Sequence, residues 1–291
     1  KVDLSPFETS LPFSLTGAQK KAIDEILADM QKPYPMNRLL QGDVGSGKTM
    51  VAAAAAYATA KNGFQTAIMA PTEILAGQHA ATFGKVLEPL GVRVCLLTGS
   101  LTPKQKAERK AAIAAGEFDV IAGTHALVQQ STEFCSLGLV VTDEQHRFGV
   151  RQRASLSEKS NHPHTLVMSA TPIPRTLALM IYGDLDVSSI DELPPNRQPV
   201  KTYVISSKIK ERAYNFLKDH LDRGLQGYIV CPLVEAMETT PANLQNAEEY
   251  ADKLARGPFQ NYRVGVLHGK MRAKDREAIM QQFASGEIQL L

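Results

Sequence analysis

Short apolar runs with strand character alternate with helical patterns through the first two thirds of the chain. The strand-like runs are RLLQ (38–41), QTAIMA (65–70), VRVCLL (92–97), FDVIA (118–122), LGLVVT (137–142) and TLVMS (165–169). Helical spacing of apolar residues covers 18–31, 48–61, 74–88 and 103–115. Strands separated by helices pair in parallel through right-handed crossovers. The chain is therefore predicted to be an α/β protein with a parallel sheet flanked by helices.

A proline-rich segment, DELPPNRQP at residues 191–199, interrupts this alternation. Its three prolines in nine residues exclude a regular helix or a central strand. We therefore predict a first domain over 1–190, a linker over 191–199 and a second domain over 200–291. With 291 residues, of which 44% are apolar, the chain is long enough to bury two cores.

The alternation restarts after the predicted linker. Strand-like runs occur at VKTYVI (200–205), GYIVC (227–231) and RVGVL (263–267), and helical patterns at about 208–223, 245–256 and 272–285. The last residues, EIQLL (287–291), again have strand character. A domain seldom ends on a newly begun apolar strand that nothing covers. The second domain is therefore predicted to be incomplete in this chain.

Charge and cysteine content narrow the setting. The chain has 32 Lys and Arg against 30 Asp and Glu, a formal charge of +2, so any nucleic-acid site must be a local feature. The three cysteines lie far apart in apolar runs, which predicts buried free thiols in a reducing compartment. The longest uncharged helical run, 49–60, is shorter than the roughly 20 residues of a membrane span. Together these features predict a cytoplasmic protein that does not enter a membrane.

The octapeptide GDVGSGKT, residues 42–49, fits the pattern G-x-x-x-x-G-K-[ST] between a predicted strand and an alanine-rich helix. In this pattern, glycines turn backbone N–H groups toward phosphate oxygens and the helix N-terminus adds positive potential. A chance glycine-rich turn is the alternative, and the strand-to-helix junction favours a nucleotide site. We predict Lys48 as a catalytic group at the β- and γ-phosphates and Thr49 as a ligand of Mg²⁺. The predicted nucleotide-binding residues here are Gly42, Gly45, Ser46, Gly47, Lys48 and Thr49.

Two adjacent carboxylates, Asp143 and Glu144, end the apolar run 137–142. Alone, such a pair is usually a solvated turn. A P-loop NTPase, however, needs a carboxylate for Mg²⁺ at the tip of a neighbouring strand and a group that activates or orients water. We predict that Asp143 binds Mg²⁺ and that Glu144 is the catalytic base. Gln145, as a further catalytic residue, and His146 follow at positions from which the γ-phosphate or a neighbouring segment could be sensed. For His146 alone, a buried and hydrogen-bonded histidine is the alternative.

Six segments together resemble the superfamily 2 helicases and translocases. They are LTGAQ (15–19), GDVGSGKT (42–49), APTEILA (70–76), GTHAL (123–127), DEQHRFGV (143–150) and SATPIPRTL (169–177). The last two, with GDLDVSSIDELPP (183–195) and LHGKM (267–271), are similar to the bacterial RecG family of branched-DNA helicases. The likeness covers nearly the whole chain. Transcription-repair coupling translocases share GDVGxGKT and ATPIPRTL but typically carry Glu at the position of Gln145, and they are the second interpretation.

The resemblance implies roles for further residues. Gln19 is expected to read the adenine edge of ATP, a task suited to an amide that both donates and accepts hydrogen bonds. Phe13 is either a stacking partner of the base or a core anchor, and the core interpretation is favoured. Segments that follow strands are expected to hold the DNA backbone, through Pro71, Thr72, Gly123, Thr124 and His125. Coupling between the nucleotide and DNA sites is expected from His146, Ser169 and Thr171.

The resemblance also implies an activity. This activity is that of an ATP-driven, Mg²⁺-dependent translocase that functions as a monomer. Its expected substrate is duplex or branched DNA, such as forks and Holliday junctions, in recombination and repair. In this family the second domain supplies arginine fingers from an R-G-R-x-G-R segment, which the chain lacks, and a wedge domain would precede Lys1. The chain alone is therefore expected to bind ATP and to hydrolyse it slowly. A non-catalytic, nucleotide-gated DNA clamp is the competing hypothesis, and the presence of Glu144 argues against it.

Overall fold

Seven parallel strands form one sheet in the N-terminal part of the chain. A computed structural model describes residues 2–124, 127, 132–143, 162–170, 185–192, 200–231 and 242–291. The strands are β1 (Asn37–Gly42), β2 (Gln65–Met69), β3 (Val94–Leu97), β4 (Val120–Gly123), β5 (Leu137–Asp143), β6 (His164–Ser169) and β7 (Asp186–Ile190). Their order in the sheet is β3-β4-β2-β5-β6-β1-β7. The predicted parallel α/β sheet is confirmed.

The last strand was not predicted. β7, DVSSI, pairs with β1 at the edge of the sheet and alternates between exposed and buried positions. An edge strand pairs with a single neighbouring strand and is partly exposed to solvent. It therefore does not need the continuous apolar run of a strand buried in the middle of a parallel sheet. The other six strands coincide with the predicted runs to within a few residues.

Within the described part of the first unit, five helices accompany the sheet. They are α1 (Ser5–Ser10), α2 (Gly17–Asp29), α3 (Lys48–Lys61), α4 (Glu73–Leu87) and α5 (Pro103–Ala114). The last four match predicted helices, and the short α1 was not predicted. At the start of α2, Oγ1 of Thr16 accepts a hydrogen bond from N of Gln19, while Oε1 of Gln19 accepts one from N of Thr16 at 2.9 Å. This reciprocal capping box fixes where the helix begins.

The alanine-rich helix α3 lies in the core of this part of the chain. Its residues from Val51 to Thr59 are all buried. A helix that is apolar all round is one that its neighbours enclose, and α3 contacts β1, β2 and β5 together with α2 and α4. Small alanine side chains let the strands approach it closely. Because residues 42–49 lead directly into α3, the core sets the position of this loop.

A second compact unit, Pro199–Leu291, follows the first unit, Lys1–Gln198. Its helices are α6 (Lys210–Asp222), α7 (Ala242–Arg256) and α8 (Ala273–Ala284), close to the predicted ranges. The predicted linker 191–199 lies mostly outside the described residues, and the predicted domain bounds stay predictions.

The backbone of the second unit forms short parallel contacts rather than long strands. N of Gly227 donates to O of Gln289 at 3.0 Å, and N of Gly265 donates to O of Leu290 at 2.8 Å. The end of EIQLL therefore lies between the two other predicted runs, as a central strand does. The prediction of a strand at 200–205 is wrong: these residues have no ladder partner among the described residues, and Val204 is 100% exposed. Without a paired neighbour, a β-branched run does not become a strand.

The predictions from composition hold in part. All three cysteines are free thiols, and Cys95 is buried, but Cys135 and Cys231 are exposed, so the prediction of three buried thiols is wrong. Cys135 lies two residues before β5 begins, where the chain has not yet entered the sheet. Among the described residues, no helix combines the length and the apolar character that crossing a membrane requires.

A buried ion pair joins β1 to α2 and β7. Nε of Arg38 donates to Oδ2 of Asp29 at 2.8 Å, and its Nη1 donates to Oγ of Ser188 at 2.8 Å. Burial alone raises the pKa of Asp29, but hydrogen bonds from Lys32 and Arg38 exceed this effect and lower the pKa below its ordinary value. The carboxylate therefore stabilises the fold in its ionised form.

Replacing Asp29 by Asn removes the buried carboxylate that accepts hydrogen bonds from Arg38. The carboxylates that remain near this guanidinium, Glu25 and Asp186, lie farther away at 3.4 and 3.8 Å. We expect Asp29→Asn to lower the free energy of unfolding at pH 7 by about 3 kcal/mol, the scale of breaking one buried pair. Because folding lowers the pKa of Asp29, its contribution is present above the ordinary pKa of 3.8 and is lost as pH falls through the folded-state pKa. Guanidinium chloride unfolding at pH 7 and pH 3 should therefore give a smaller difference at pH 3.

The matched control is Asp24→Asn, an exposed carboxylate of the same helix. It should change the free energy of unfolding by less than about 0.5 kcal/mol at either pH. If Asp29→Asn cost the same at both pH values, the ionised carboxylate would not be the source of the stabilisation.

A candidate nucleotide site at the carboxyl edge of the sheet

Three neighbouring strands bring the predicted metal ligand and the glycine-rich loop to one edge of the sheet. In the strand order, β5, β6 and β1 are adjacent. Asp143 at the end of β5 is in register with Met168, and Ser169 at the end of β6 is in register with Gln41 of β1. Ligands of parallel α/β sheets bind outside the carboxyl ends of the strands. The predicted residues therefore converge where such a ligand would bind.

The glycine-rich loop has the backbone conformation that its sequence predicts. Gly45 and Gly47 have φ values of 76° and 87°, a region that other residues rarely adopt. Gly47 immediately precedes the first residue of α3. A Cβ on Gly47 would overlap Nε2 of Gln19, and one on Gly42 would lie 2.6 Å from Oγ of Ser46. The loop therefore needs glycine at position 45 for conformation, at position 42 for space and at position 47 for both.

The loop is suited to hold phosphate. Nζ of Lys48 donates to the carbonyl oxygens of Gly42 and Asp43 at 2.6 and 2.9 Å, so its ammonium group lies across the loop. Oγ of Ser46 is buried and has no hydrogen-bond partner among the described residues, which is unusual for a buried hydroxyl. Thr49 and Asp143 offer hydroxyl and carboxylate oxygens, the donors that Mg²⁺ prefers.

Gln19 connects the start of α2 to this loop. Its Nε2 donates to the carbonyl oxygen of Ser46 at 2.7 Å, while its Oε1 serves the capping box. Both functional groups of the amide are thus engaged by the protein, and the predicted contact with adenine stays a prediction. N of Ala18 donates to Oε2 of Glu192 at 3.1 Å. Glu192, two residues after β7, was not selected from the sequence, because nothing local indicates a partner so far away along the chain.

Phe13 is 50% exposed, so its interpretation as a core anchor is wrong. Leu11 and Leu15 are buried, but the three residues between them, including Phe13, are all exposed. The aromatic ring is therefore accessible near the start of α2. The other interpretation, a stacking partner for a base, is the one that its exposure permits.

Asp143 has a partner that the sequence analysis did not select. Nε2 of His79, on α4, donates to Oδ2 of Asp143 at 2.7 Å. His79 is 7% exposed. In the sequence, only its helical spacing from Ala76 and Phe83, which are also buried in α4, indicated that His79 faces inward. Helical spacing does not show which residue such a side chain contacts.

The predicted DNA-backbone residues follow β2 and β4, which are neighbouring strands. Oγ1 of Thr72 accepts a hydrogen bond from N of Leu75 at 3.3 Å and so caps α4. Gly123 is tightly enclosed, because a Cβ there would overlap the carbonyl oxygen of Leu97. Thr124 is buried, which leaves little of its hydroxyl accessible. Pro71, just before Thr72, is half-buried.

The turn after β3 lies at the same carboxyl edge of the sheet as the segments after β2 and β4. Its residues were not predicted from the sequence as part of a site. Oγ1 of Thr98 and Oγ of Ser100 are hydrogen-bonded at 3.0 Å. N of Ser100 donates at 3.1 Å to Oε1 of Glu73, the first residue of α4. The turn is thereby tied to the segment that follows β2. Three neighbouring strands, β3, β4 and β2, thus present small polar residues at one edge.

Several predicted residues lie outside the described part of the chain. They are His125, Glu144, Gln145, His146 and Thr171. Ser169 is described, and it is buried at the end of β6. The coupling and catalytic roles of these residues stay predictions.

Comparison with known protein families decides the family. Residues 16–180 match the DEAD/DEAH box helicases, and residues 201–291 match the helicase conserved C-terminal domain. The chain belongs to the DEAD/DEAH box helicase family. The sequence-based resemblance to superfamily 2 helicases is thereby confirmed, and the helicase fold spans both units.

Individual relatives of this helicase chain are similar over most of its length. It is 47% identical to the ATP-dependent DNA helicase RecG of Bacillus subtilis over 289 residues, which are 99% of this chain and 42% of that protein. It is 52% identical to RecG of Aquifex aeolicus over 275 residues, 94% of this chain and 34% of that protein. The chain therefore spans less than half the length of these relatives.

Solved structures agree with this family assignment. A structure of RecG bound to a three-way DNA junction matches with a TM-score of 0.82 and 41% identity, covering 100% of this chain and 38% of that one. The DEAD-box helicase Mss116 bound to single-stranded RNA matches with a TM-score of 0.71 and 18% identity, over 100% of this chain and 63% of that one. The second likeness concerns the fold alone.

The space around Gly47 yields a prediction about nucleotide affinity. We expect Gly47→Ala to weaken binding of a non-hydrolysable ATP analogue by about tenfold or more, equal to at least about 1.4 kcal/mol. The added methyl group would displace Gln19 and strain a residue with a φ of 87°. Fluorescence titration measures the affinity, and thermal unfolding reports the stability of the same sample.

Gly63→Ala is the matched control. Gly63 has a φ of 80° but open space around the position of a Cβ. Its replacement should cost about 1 kcal/mol of stability through backbone strain and leave the affinity for the analogue unchanged. Equal losses of affinity in the two variants would contradict the role assigned to the loop.

Proposed function

We propose that the protein to which this chain belongs is an ATP-dependent DNA helicase that uses Mg-ATP hydrolysis to move on duplex DNA. Its substrates are branched DNA, such as replication forks and Holliday junctions, in recombination and repair. The observation that carries the proposal is the convergence of Asp143 and the loop of residues 42–49 at one sheet edge. Identities of 45–52% to relatives named ATP-dependent DNA helicase RecG support it.

The nucleotide phosphates would be held by the loop. Backbone N–H groups of Gly45 and Gly47 would face the phosphates, and that of Ser46 would have to release the carbonyl of Asp43, to which it donates at 3.1 Å. Lys48 would exchange its bonds to loop carbonyls for the β- and γ-phosphate oxygens. Thr49 and Asp143 would hold Mg²⁺, which when bound offsets the negative charge of the phosphates.

Hydrolysis requires groups beyond the phosphate cradle. Glu144 takes the proton of the attacking water, and Gln145 orients this water. At the other end of the nucleotide, Gln19 contacts the adenine edge after releasing one of its protein partners, and Phe13 stacks on the base.

DNA would lie across the carboxyl ends of β2, β3 and β4. The proposed contacts are to the sugar-phosphate backbone, which fixes position without reading sequence. The proposed residues are Pro71, Thr72, Gly123, Thr124, His125 and Ser100. Thr124 contributes its backbone rather than its buried hydroxyl. His146, Ser169 and Thr171 connect this surface to the nucleotide.

ATP hydrolysis with and without DNA tests the proposal. The chain and the full-length protein are each assayed alone, with a synthetic four-way junction and with linear duplex. We expect stimulation by the junction in the full-length protein, and turnover slower by about 10³-fold or more in the chain, because its sequence has no R-G-R-x-G-R segment to stabilise the transition state. Equal stimulation by linear duplex would favour a transcription-repair coupling type of translocase. Rapid turnover by the chain would contradict its proposed impairment.

Replacing Glu144 by Gln in the full-length protein separates an enzyme from a nucleotide-gated clamp. Glu144→Gln should lower the hydrolysis rate by about 10²-fold or more, the scale of a general base, while ATP affinity changes less than about threefold. Lys48→Ala is the comparison, because it should lower the affinity as well. No change in hydrolysis with Glu144→Gln would count against the base and favour the clamp.

A further inference from the structure

His79 contacts Asp143, the carboxylate at the end of β5 that is proposed above as a ligand of Mg²⁺. The hydrogen bond from its Nε2 to Oδ2 of Asp143 is 2.7 Å long. The two side chains taken alone are enclosed, with 9% of the His79 side chain and 17% of the Asp143 side chain exposed. A hydrogen bond to an ionised group in such surroundings is stronger than one in water.

The imidazole is held in place from another side. The ring of Phe83, one turn further along α4, meets it edge-on, with ring centres 6.3 Å apart and planes at 80°. The backbone of α4 fixes the height of His79 relative to the sheet, since Thr72 caps the start of this helix. His79 therefore has little freedom to leave Asp143.

Among the described residues, one of the two carboxylate oxygens of Asp143, Oδ2, is hydrogen-bonded. Oδ1 of Asp143 has no hydrogen-bond partner among the described residues. A carboxylate with one oxygen fixed can turn less about its terminal bond, so its other oxygen keeps one orientation. Such outer partners of ligating groups typically change metal affinity by about 10- to 100-fold when they are replaced.

We propose that His79 is a positioning residue that orients Asp143 for Mg²⁺ in the nucleotide site. The inference rests on the proposed function, because it assigns Asp143 to the metal. Without the N–H donor at position 79, the carboxylate must be ordered when the metal binds, and a higher Mg²⁺ concentration is needed. Binding of the nucleotide in the absence of metal does not use this bond and stays unchanged.

The test measures the Mg²⁺ concentration that gives half of the metal-dependent increase in affinity for a fluorescent, non-hydrolysable ATP analogue. His79→Leu keeps an apolar volume but removes the donor, and this concentration should rise about tenfold. His79→Gln places an amide N–H at a similar reach and should restore the value to within about threefold. Gln78→Ala, at an exposed neighbouring position of α4, is the control and should leave it unchanged.

A double-mutant cycle connects the effect to Asp143. In an Asp143→Asn background, His79→Leu should cause no further change in the Mg²⁺ requirement, because the carboxylate that His79 orients is gone. Affinity for the analogue in EDTA should be the same in the unsubstituted chain, His79→Leu and His79→Gln, and His79→Leu should leave it unchanged relative to the Asp143→Asn background as well. If His79→Leu does not fold, His79→Asn replaces it, since this amide is too short to reach Asp143.

Three results would overturn the inference. The first is an unchanged Mg²⁺ requirement in His79→Leu. The second is an equal loss of affinity with and without Mg²⁺, which would indicate a purely structural role. The third is a shift in His79→Gln as large as that in His79→Leu, which would indicate packing rather than hydrogen bonding. If the unsubstituted chain showed no Mg²⁺-dependent binding of the analogue, the proposed function itself would fail.

Discussion

The close packing of α3 against the sheet is the constraint on which the nucleotide site depends. Residues from Ala52 to Ala56 are fully or almost fully buried, and their small side chains permit the short distance between helix and strands. Protein interiors have few voids, so a larger side chain here would push the helix away from β1. The loop of residues 42–49 joins these two elements, and its conformation holds only while both stay in place.

Around this loop, segments far apart in the chain are tied together by a few polar contacts. Gln19 connects the cap of α2 to the carbonyl of Ser46, Glu192 connects the segment after β7 to the same helix, and Arg38 joins α2 to β1 and β7. Each contact is buried or half-buried, where an unpaired group is costly. The start of α2 is thus held from two directions, which suits a helix proposed to contact a base.

α4 connects the two proposed functions of the sheet edge. Its first turn follows Thr72, in the proposed DNA surface, and two turns later His79 contacts Asp143 in the nucleotide site. One rigid helix therefore has a residue at each site. In the second unit, Leu290 lies between two other backbone segments above a core of Leu221, Leu254 and Phe259, so the last residues of the chain contribute to the interior of that unit.

The sequence by itself determined the features that depend on neighbours in the chain. Six strands, four helices of the first unit and the glycine-rich loop are set by apolar runs, helical spacing, a capping box and the conformational needs of Gly45 and Gly47, all of which are local. Only the tertiary structure decided the features that depend on distant partners: the order of the strands, the edge strand β7, the exposure of Phe13 and the contact of His79 with Asp143. It also left residues 200–205 without a ladder partner within the described part of the chain. Residues 79 and 143 are brought together by strand order and helix packing, and no local pattern encodes the distance between them.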